Sequence, residues 1–235
     1  MDFSIRSNRL ELLDHSGIPA EDIQRNMDEL AVINQKLGGH SITWEGFSRL
    51  VRGNKFLSEE DPLHICEIGC GGGDNLKAIE KKAGRRFKKL SFTGIDINPD
   101  CIQVAQKLHW EKPVRFLASD YRKVYFDKNP DIIFCSLFCH HFKENELISM
   151  FRWMQMNSQN GFFINDLHRH PLAYYSIRWL TARFSRSYLV KNDAPLSVLR
   201  GFKKKELEDL LQRAGIFYYR IRWKWAFRWL IMVEK

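Results

Sequence analysis

Leu63-His64-Ile65-Cys66-Glu67-Ile68-Gly69-Cys70-Gly71-Gly72-Gly73-Asp74 is the stretch around which the chain is organised. It begins as a near-continuous apolar run, the pattern of a buried parallel strand. After the acid Glu67 it breaks into glycines, and a helical pattern starts at Asn75. Glycine reaches backbone dihedrals closed to other residues, and its missing Cβ lets a ligand approach the main chain. The helix behind the loop offers unpaired N–H groups and a positive dipole end. Together these predict a nucleotide-cofactor loop at the carboxyl end of a strand, where open α/β sheets bind ligands.

Spacing narrows the ligand. Gly69, Gly71 and Gly73 give G-x-G-x-G rather than the dinucleotide G-x-G-x-x-G, and no Lys-Ser/Thr pair follows as in a P-loop. Glu67, two residues before the first glycine, suits a cationic ligand better than a pyrophosphate. On these residues the chain resembles the class I S-adenosylmethionine (SAM) dependent methyltransferases, whose first motif is E/D-x-G-x-G-x-G. The resemblance implies that Glu67, Gly69, Gly71 and Gly73 hold SAM. The plainer reading is a tight strand-to-helix turn with no ligand.

Downstream, strands alternate with helices, which argues for a parallel sheet. A strand over 90–95 ends at Asp96, where an acid accepts hydrogen bonds from both ribose hydroxyls. That chemistry does not separate SAM from NAD. The run Gly94-Ile95-Asp96-Ile97-Asn98 resembles the second methyltransferase motif and adds Asp96 and Ile97 to the implied cofactor residues. A strand over 114–117 runs into Asp120 and Tyr121, which the resemblance assigns to the adenine amino group and ring. Without it, Asp120 reads as a capping or turn acid. The strand over 131–136 ends at Ser136, expected beside the sulfonium, and leads to His140 and His141.

Imidazole titrates near neutrality and suits a general base or a substrate orienter. Adjacent residues should not both enter one site, so His141 is the expected member, with a structural histidine as the alternative. A strand over 161–167 ends in a polar cluster in which Asp166 and His168 are further candidates to take the acceptor's proton. They are expected to alternate, one toward substrate and one toward solvent, unless the cluster is an exit loop without chemistry. No ligand spacing supports a metal site.

Before the loop, Pro19 opens a helical pattern of Ile23, Met27, Leu30, Ile33 and Leu37, stopped by Gly38 and Gly39; a second helix is expected over 42–50. The two either cap the cofactor cleft or pad the sheet. Residues 172–200 are too evenly apolar and aromatic for a loop, and read as one extra helix, a lid with Arg178, Arg183 and Arg186 on its other side. An aromatic-lined pocket suits a hydrophobic or planar small molecule. A basic amphipathic helix docked on a membrane is the competing account. A final helix ends at Gly215, and strands over 217–223 and 226–233 form a closing hairpin, an ending that also resembles the methyltransferases.

The 235 residues, 44% hydrophobic and 28% charged, suit one well-buried α/β domain with an appendage. Neither a membrane-length apolar run nor a signal-peptide core is present, so a cytoplasmic location is expected. The five cysteines read as small buried hydrophobes in a reducing compartment. The net charge of +9 is uneven: from His168 onward fifteen Lys/Arg face five Asp/Glu, which admits nucleic acid, an anionic membrane surface or an acidic substrate.

The expected architecture is α/β, a Rossmann-like class I methyltransferase fold: a mostly parallel seven-stranded sheet, helices on both faces and an antiparallel C-terminal hairpin. It divides into a helical cap (1–60), a SAM-binding core (61–170), a helical lid (171–200) and a closing helix and hairpin (201–235). More narrowly, Leu37-Gly38-Gly39-His40, the run 135–142 and Asn165-Asp166-Leu167 resemble bacterial small-molecule methyltransferases related to the quinone-biosynthesis enzymes and associated with polyketide or aromatic-lipid pathways. That implies SN2 transfer of the sulfonium methyl to a hydroxyl or activated carbon of a hydrophobic acceptor, with proximity supplying much of the rate. Three alternatives stay open: an RNA or DNA methyltransferase, a SAM-binding protein without catalysis, and an NAD-dependent oxidoreductase. Ser136-Leu137-Phe138 in place of Asn/Asp-Pro-Pro-Tyr/Phe argues against the first, and the glycine spacing against the last.

Overall fold

β1 (Leu63–Ile68) runs through the middle of a seven-stranded sheet, with five of its six residues buried. It pairs in parallel with β2 (Leu90–Asp96) on one side and β4 (Ile132–Ser136) on the other. β3 (Val114–Ala118) extends the sheet beyond β2, and β5 (Gly161–Leu167) extends it beyond β4. β7 (Arg228–Glu234) returns antiparallel to β5, and β6 (Arg220–Lys224) forms the edge, giving the order β3-β2-β1-β4-β5-β7-β6. The chain direction across the sheet reverses between β1 and β4, which opens a crevice at their carboxyl ends. This computed structural model describes residues 1–15, 17–53 and 59–235. The sheet is the Rossmann-like one that the sequence predicts.

Successive strand residues face opposite sides, and each side has its own helical layer. α2 (Gly39–Gly53) and α3 (Asp74–Ala83) pack Phe47, Leu50, Leu76 and Ile79 against Ile65 and Phe163. α5 (Glu144–Asn157) and α8 (Lys204–Arg213) pack Leu147, Phe151, Leu207 and Leu211 against Cys66 and Ile133. Gly46 lets α2 sit close to the sheet, since a Cβ there would lie 2.5 Å from the Phe163 ring.

α1 (Ala20–Lys36) ends before Gly38, whose φ of +79° suits glycine. Gly39, expected as part of the stop, instead begins α2, where a Cβ would come within 2.8 Å of the Asn34 side chain. The two helices divide the roles that the sequence left open. α1 seats Ile23 and Met27 on Cys101 and Val104 of α4 (Pro99–Gln106), beside the crevice, while α2 covers the sheet.

The single helix expected over 172–200 is two, α6 (Pro171–Phe184) and α7 (Tyr188–Arg200). Ser187 caps α7 by accepting the Val190 N–H at 3.4 Å, and Glu29 of α1 accepts the Arg186 and Ser187 N–H groups at 2.9 and 3.0 Å. The expected segregation of arginines from aromatics also fails. Tyr175, Trp179 and Phe184 are exposed together with Arg178 and Arg183, while α6 buries Ala173, Tyr174 and Thr181. The hairpin strands start later than expected, leaving Phe217 and Tyr218 exposed before β6. All five cysteines are buried and free. Among the described residues, no helix is long and apolar enough to cross a membrane.

Candidate active site

A cavity of about 1040 Å³ occupies the crevice, walled by the glycine loop, the ends of β2 and β4, α1, α6 and α7. The loop is pinned to β2 by two hydrogen bonds, from the Gly69 and Cys70 N–H groups to the Ile95 carbonyl at 2.8 and 3.0 Å. Gly69 has φ +67°, and a Cβ on it would lie 2.1 Å from the Phe138 ring. Gly71 has φ +50° and faces the cavity. Its N–H donates to one Asp96 oxygen at 2.8 Å, and the Asn98 N–H donates to the other at 2.9 Å. Each carboxylate oxygen keeps acceptor capacity for a ligand hydroxyl. Burial raises the Asp96 carboxyl, and these N–H bonds offset only part of that.

Ile97, Asp120, Tyr121 and Ser136 also line the cavity. Asp120 caps the short turn Tyr121–Lys123 through the Arg122 N–H at 2.9 Å, and pairs with the Arg122 guanidinium at 2.6 Å. That pairing holds its carboxyl below the usual range. Tyr121 is wedged edge-on between Phe138 and Trp153. Ser136 Oγ accepts the Asn165 amide at 3.1 Å. The next residue, Leu137, has φ +53°, the left-handed region that costs a non-glycine residue about 1–3 kcal/mol. Its N–H is tied to the Asn165 carbonyl at 2.8 Å.

Two predicted cofactor residues do not reach the cavity. Gly73, with φ +78°, starts α3 and packs toward Ala105, Trp110 and Phe116. Glu67 lies beneath the loop with neither carboxylate oxygen hydrogen-bonded. Burial, then the Asp74 charge, pushes its carboxyl well above the ordinary range, with the Asn75 side chain pulling the other way. Nearby, Arg228 lines the cavity and is buried; its Nη2 donates to Asn34 at 3.0 Å, and its Nη1 has no partner. Burial brings this guanidinium down to about 10, against the Asp166 and Asp74 charges. The Leu37-Gly38-Gly39-His40 run lies in the same layer: His40 and Asn34 both bond one Asp74 oxygen, at 2.7 and 3.1 Å. An unpartnered guanidinium N–H, a two-oxygen acceptor and close-approach glycines fit SAM, whose amino-acid end is a zwitterion and whose ribose carries two hydroxyls.

The opposite wall carries the histidines. His140 and His141 sit in the turn Cys139–His141, with rings 4.4 Å apart, and both line the cavity. The expectation that only one could enter does not hold, since neighbours in a tight turn diverge by less than the half-turn that separates them on a strand, and both rings reach the cavity lining. His140 Nδ1 bonds Asp166 at 2.8 Å, and its Nε2 lies 3.5 Å from Glu11. His141 Nδ1 bonds Asp14 at 2.9 Å, and its Nε2 lies 3.9 Å from the other Glu11 oxygen. Burial opposes a charge on His140, but Asp166 and Glu11 outweigh it and lift the imidazole to about 9. Glu11 is likewise buried, yet His140 holds its carboxyl below the usual range. Arg200 closes the network, donating to the His140 and His141 carbonyls at 3.0 and 2.8 Å and to Asp14 at 2.8 Å.

Asp166 and His168 do not line the cavity. Positions two apart on a strand share a face, so the alternation expected of them does not hold. Asp166 is fully buried behind His140, which it orients. His168 lies past the end of β5, packed on Trp229 and accepting the Trp223 indole N–H at 3.2 Å. Burial, helped by the His170 and Arg169 charges, pushes its imidazole down to about 4. Glu11, Asp14, Arg200 and Arg228 come from the N-terminal segment, α7 and β7. No motif marked them, and only the isolated acids of an otherwise apolar stretch hinted at Glu11 and Asp14.

Residues 65–160 match the model of a methyltransferase domain family. No curated protein matches the sequence. Among solved structures, the plantazolicin methyltransferase BpumL in complex with SAH superposes with a TM-score of 0.67 at 18% identity, covering 90% of this chain and 89% of that one. The magnesium protoporphyrin IX methyltransferase ChlM from Synechocystis PCC 6803, with bound SAM, gives a TM-score of 0.57 at 12% identity over 94% and 99% of the two chains. The domain match spans the glycine loop, Asp96, Asp120 and both histidines, so residues 65–160 carry a methyltransferase domain, on a fold shared with methyltransferases solved with SAM or SAH bound.

Proposed function

We propose that the enzyme methylates a hydroxyl or activated carbon of a mostly apolar, aromatic or polyketide-like small molecule. One observation carries this reading. The cavity that holds the cofactor cradle is also lined by Leu13, Ile18, Ile177, Leu180 and Val198, together with Glu11 and His141. Apolar walls with a few convergent polar groups suit a hydrophobic ligand with one reactive head. SAM, when bound, supplies the electrophilic methyl of its sulfonium.

The chain's own residues do the rest. Asp96 would accept from the ribose hydroxyls, Asp120 and Tyr121 would hold the adenine, and Arg228 with Asn34 would hold the amino-acid end. Asp14 accepts from His141 Nδ1–H and so fixes the tautomer whose Nε2 can take the acceptor's proton. Asp166, behind His140, positions the pair. The exposed aromatic and basic face of α6, next to the chamber, suits contact with an anionic membrane surface.

The test is methyl transfer from labelled SAM to a panel of phenolic, quinol-like and polyketide-like acceptors. His141→Ala should lower turnover by about 10²–10⁴ while S-adenosylhomocysteine affinity, read by calorimetry, stays at the wild-type value. Wild-type turnover in His141→Ala would refute the base assignment. Product on none of the panel, with cofactor binding intact, would refute the acceptor class.

A further inference from the structure

Glu11, His140 and His141 bring one carboxylate oxygen and two imidazole nitrogens within 4.8 Å of one another, at the edge of the cavity. The orientation of the two rings goes further. Each ties its Nδ1 to a carboxylate, Asp166 at 2.8 Å and Asp14 at 2.9 Å, and each turns its Nε2 to the same Glu11. A metal-bound histidine is normally held this way, its second nitrogen donating to a carboxylate that fixes the tautomer. The Nε2-to-carboxylate separations are 3.5 and 3.9 Å, long for hydrogen bonds. Two ligands at about 2.0–2.1 Å from a tetrahedral ion stand roughly 3.3 Å apart.

Charge points the same way. Asp166, Asp14 and Glu11 surround the two imidazoles, and among the described residues Arg200 is the one Lys/Arg in ion-pair range of any of them. The remaining side of the cluster faces the chamber, where a water or an acceptor oxygen can complete the coordination.

We propose that Glu11, His140 and His141 form a site for a divalent transition-metal ion of the zinc class, with Asp14 and Asp166 as its outer carboxylates. The proposal rests on the functional reading only for the acceptor's place in the chamber, and it replaces one step of it, since an Nε2 of His141 that binds the ion cannot also take the acceptor's proton. The site was illegible in the sequence because Glu11 comes from the N-terminal segment, far from the histidine pair.

The experiment strips the 235-residue chain with a chelator and titrates it with Zn²⁺ by calorimetry, with elemental analysis of the dialysed product. One ion per chain is expected. Glu11→Gln and His141→Ala should abolish stoichiometric binding, Asp14→Asn should weaken it about 10–100-fold, and His170→Ala should leave it unchanged. S-adenosylhomocysteine titration of every variant reports the fold and the cofactor cradle separately, so a failure of the methyltransferase reading is not mistaken for a failure here. Co²⁺ loading of the wild-type chain needs no variant to fold, and should show two paramagnetically shifted, exchangeable imidazole N–H resonances. Absence of stoichiometric binding, an ion retained by both ligand variants, or a Co²⁺ spectrum without the two shifted protons would each overturn the proposal.

Discussion

Gly69 and Gly71 differ in what their missing side chains leave room for. A methyl on Gly69 would strike the Phe138 ring at 2.1 Å, whereas one on Gly71 meets only the Met27 sulfur at 3.3 Å. Gly69→Ala should therefore destabilise the fold by about 1–3 kcal/mol through overpacking, and more through its left-handed φ. Gly71→Ala should lose less stability and more cofactor affinity, because its Cβ intrudes where the ligand must approach. Denaturant midpoints set beside S-adenosylhomocysteine titrations separate the two; equal stability losses would refute the distinction. His168 allows a pH prediction. Folded, its imidazole is pushed down to about 4 from 6.5, so below 6.5 the unfolded chain binds a proton that the folded chain refuses. Stability from this residue is complete above about 6.5, and is lost as pH falls toward 4. His168→Asn, which can still accept from Trp223, should lose less stability than wild type between pH 7 and 4.5. Parallel declines in both proteins would count against this account.

At the scale of elements, the break between α6 and α7 shows what periodicity hides. The apolar pattern over 172–200 continues through Ser185-Arg186-Ser187, and the sequence alone reads one helix. The signal for two was Ser187, a good N-cap, but its partner Glu29 lies in α1 and supplies acceptors that no local pattern reveals. β1, β4 and β5 were legible because they are buried on both faces and start at or just after a proline or glycine. The turn at His140 was not, because the burial of its imidazoles depends on acids from the N-terminal segment and β5. Glu29→Ala should free the chain at 185–187 without touching the sheet. Faster amide exchange there and a raised acceptor KM are expected, with S-adenosylhomocysteine affinity unchanged. Unaltered exchange at these residues would mean that α6 and α7 hold their junction without α1.

On the scale of the whole molecule, charge and exposed aromatics coincide on one side. Between His168 and Lys191 the chain carries no acid, and Arg178, Arg183 and Arg186 are exposed beside Tyr175, Trp179 and Phe184. Ile177 and Leu180 of the same helix line the chamber, as does the largely exposed Trp225 of the hairpin turn. Aromatic rings at headgroup depth with arginines reaching lipid phosphates form an interfacial surface, and this one would place the chamber mouth where a lipophilic acceptor partitions. Composition alone showed that the C-terminal third is basic; it could not show that the arginines and aromatics share one face. Each basic residue near an anionic bilayer contributes about 1 kcal/mol, so reversing all three arginines to Glu should weaken vesicle binding by more than 100-fold. Co-sedimentation with phosphatidylglycerol vesicles should be strong at low salt and fall as salt screens the charges, with little binding to phosphatidylcholine. Trp179→Ser should lower binding to both lipids, since its contribution is burial and not charge. The same variants should bind S-adenosylhomocysteine normally, because none of the substituted residues lines the cavity. Binding indifferent to lipid charge, or undiminished by the triple reversal, would assign the face to some other partner and leave the acceptor to arrive from water.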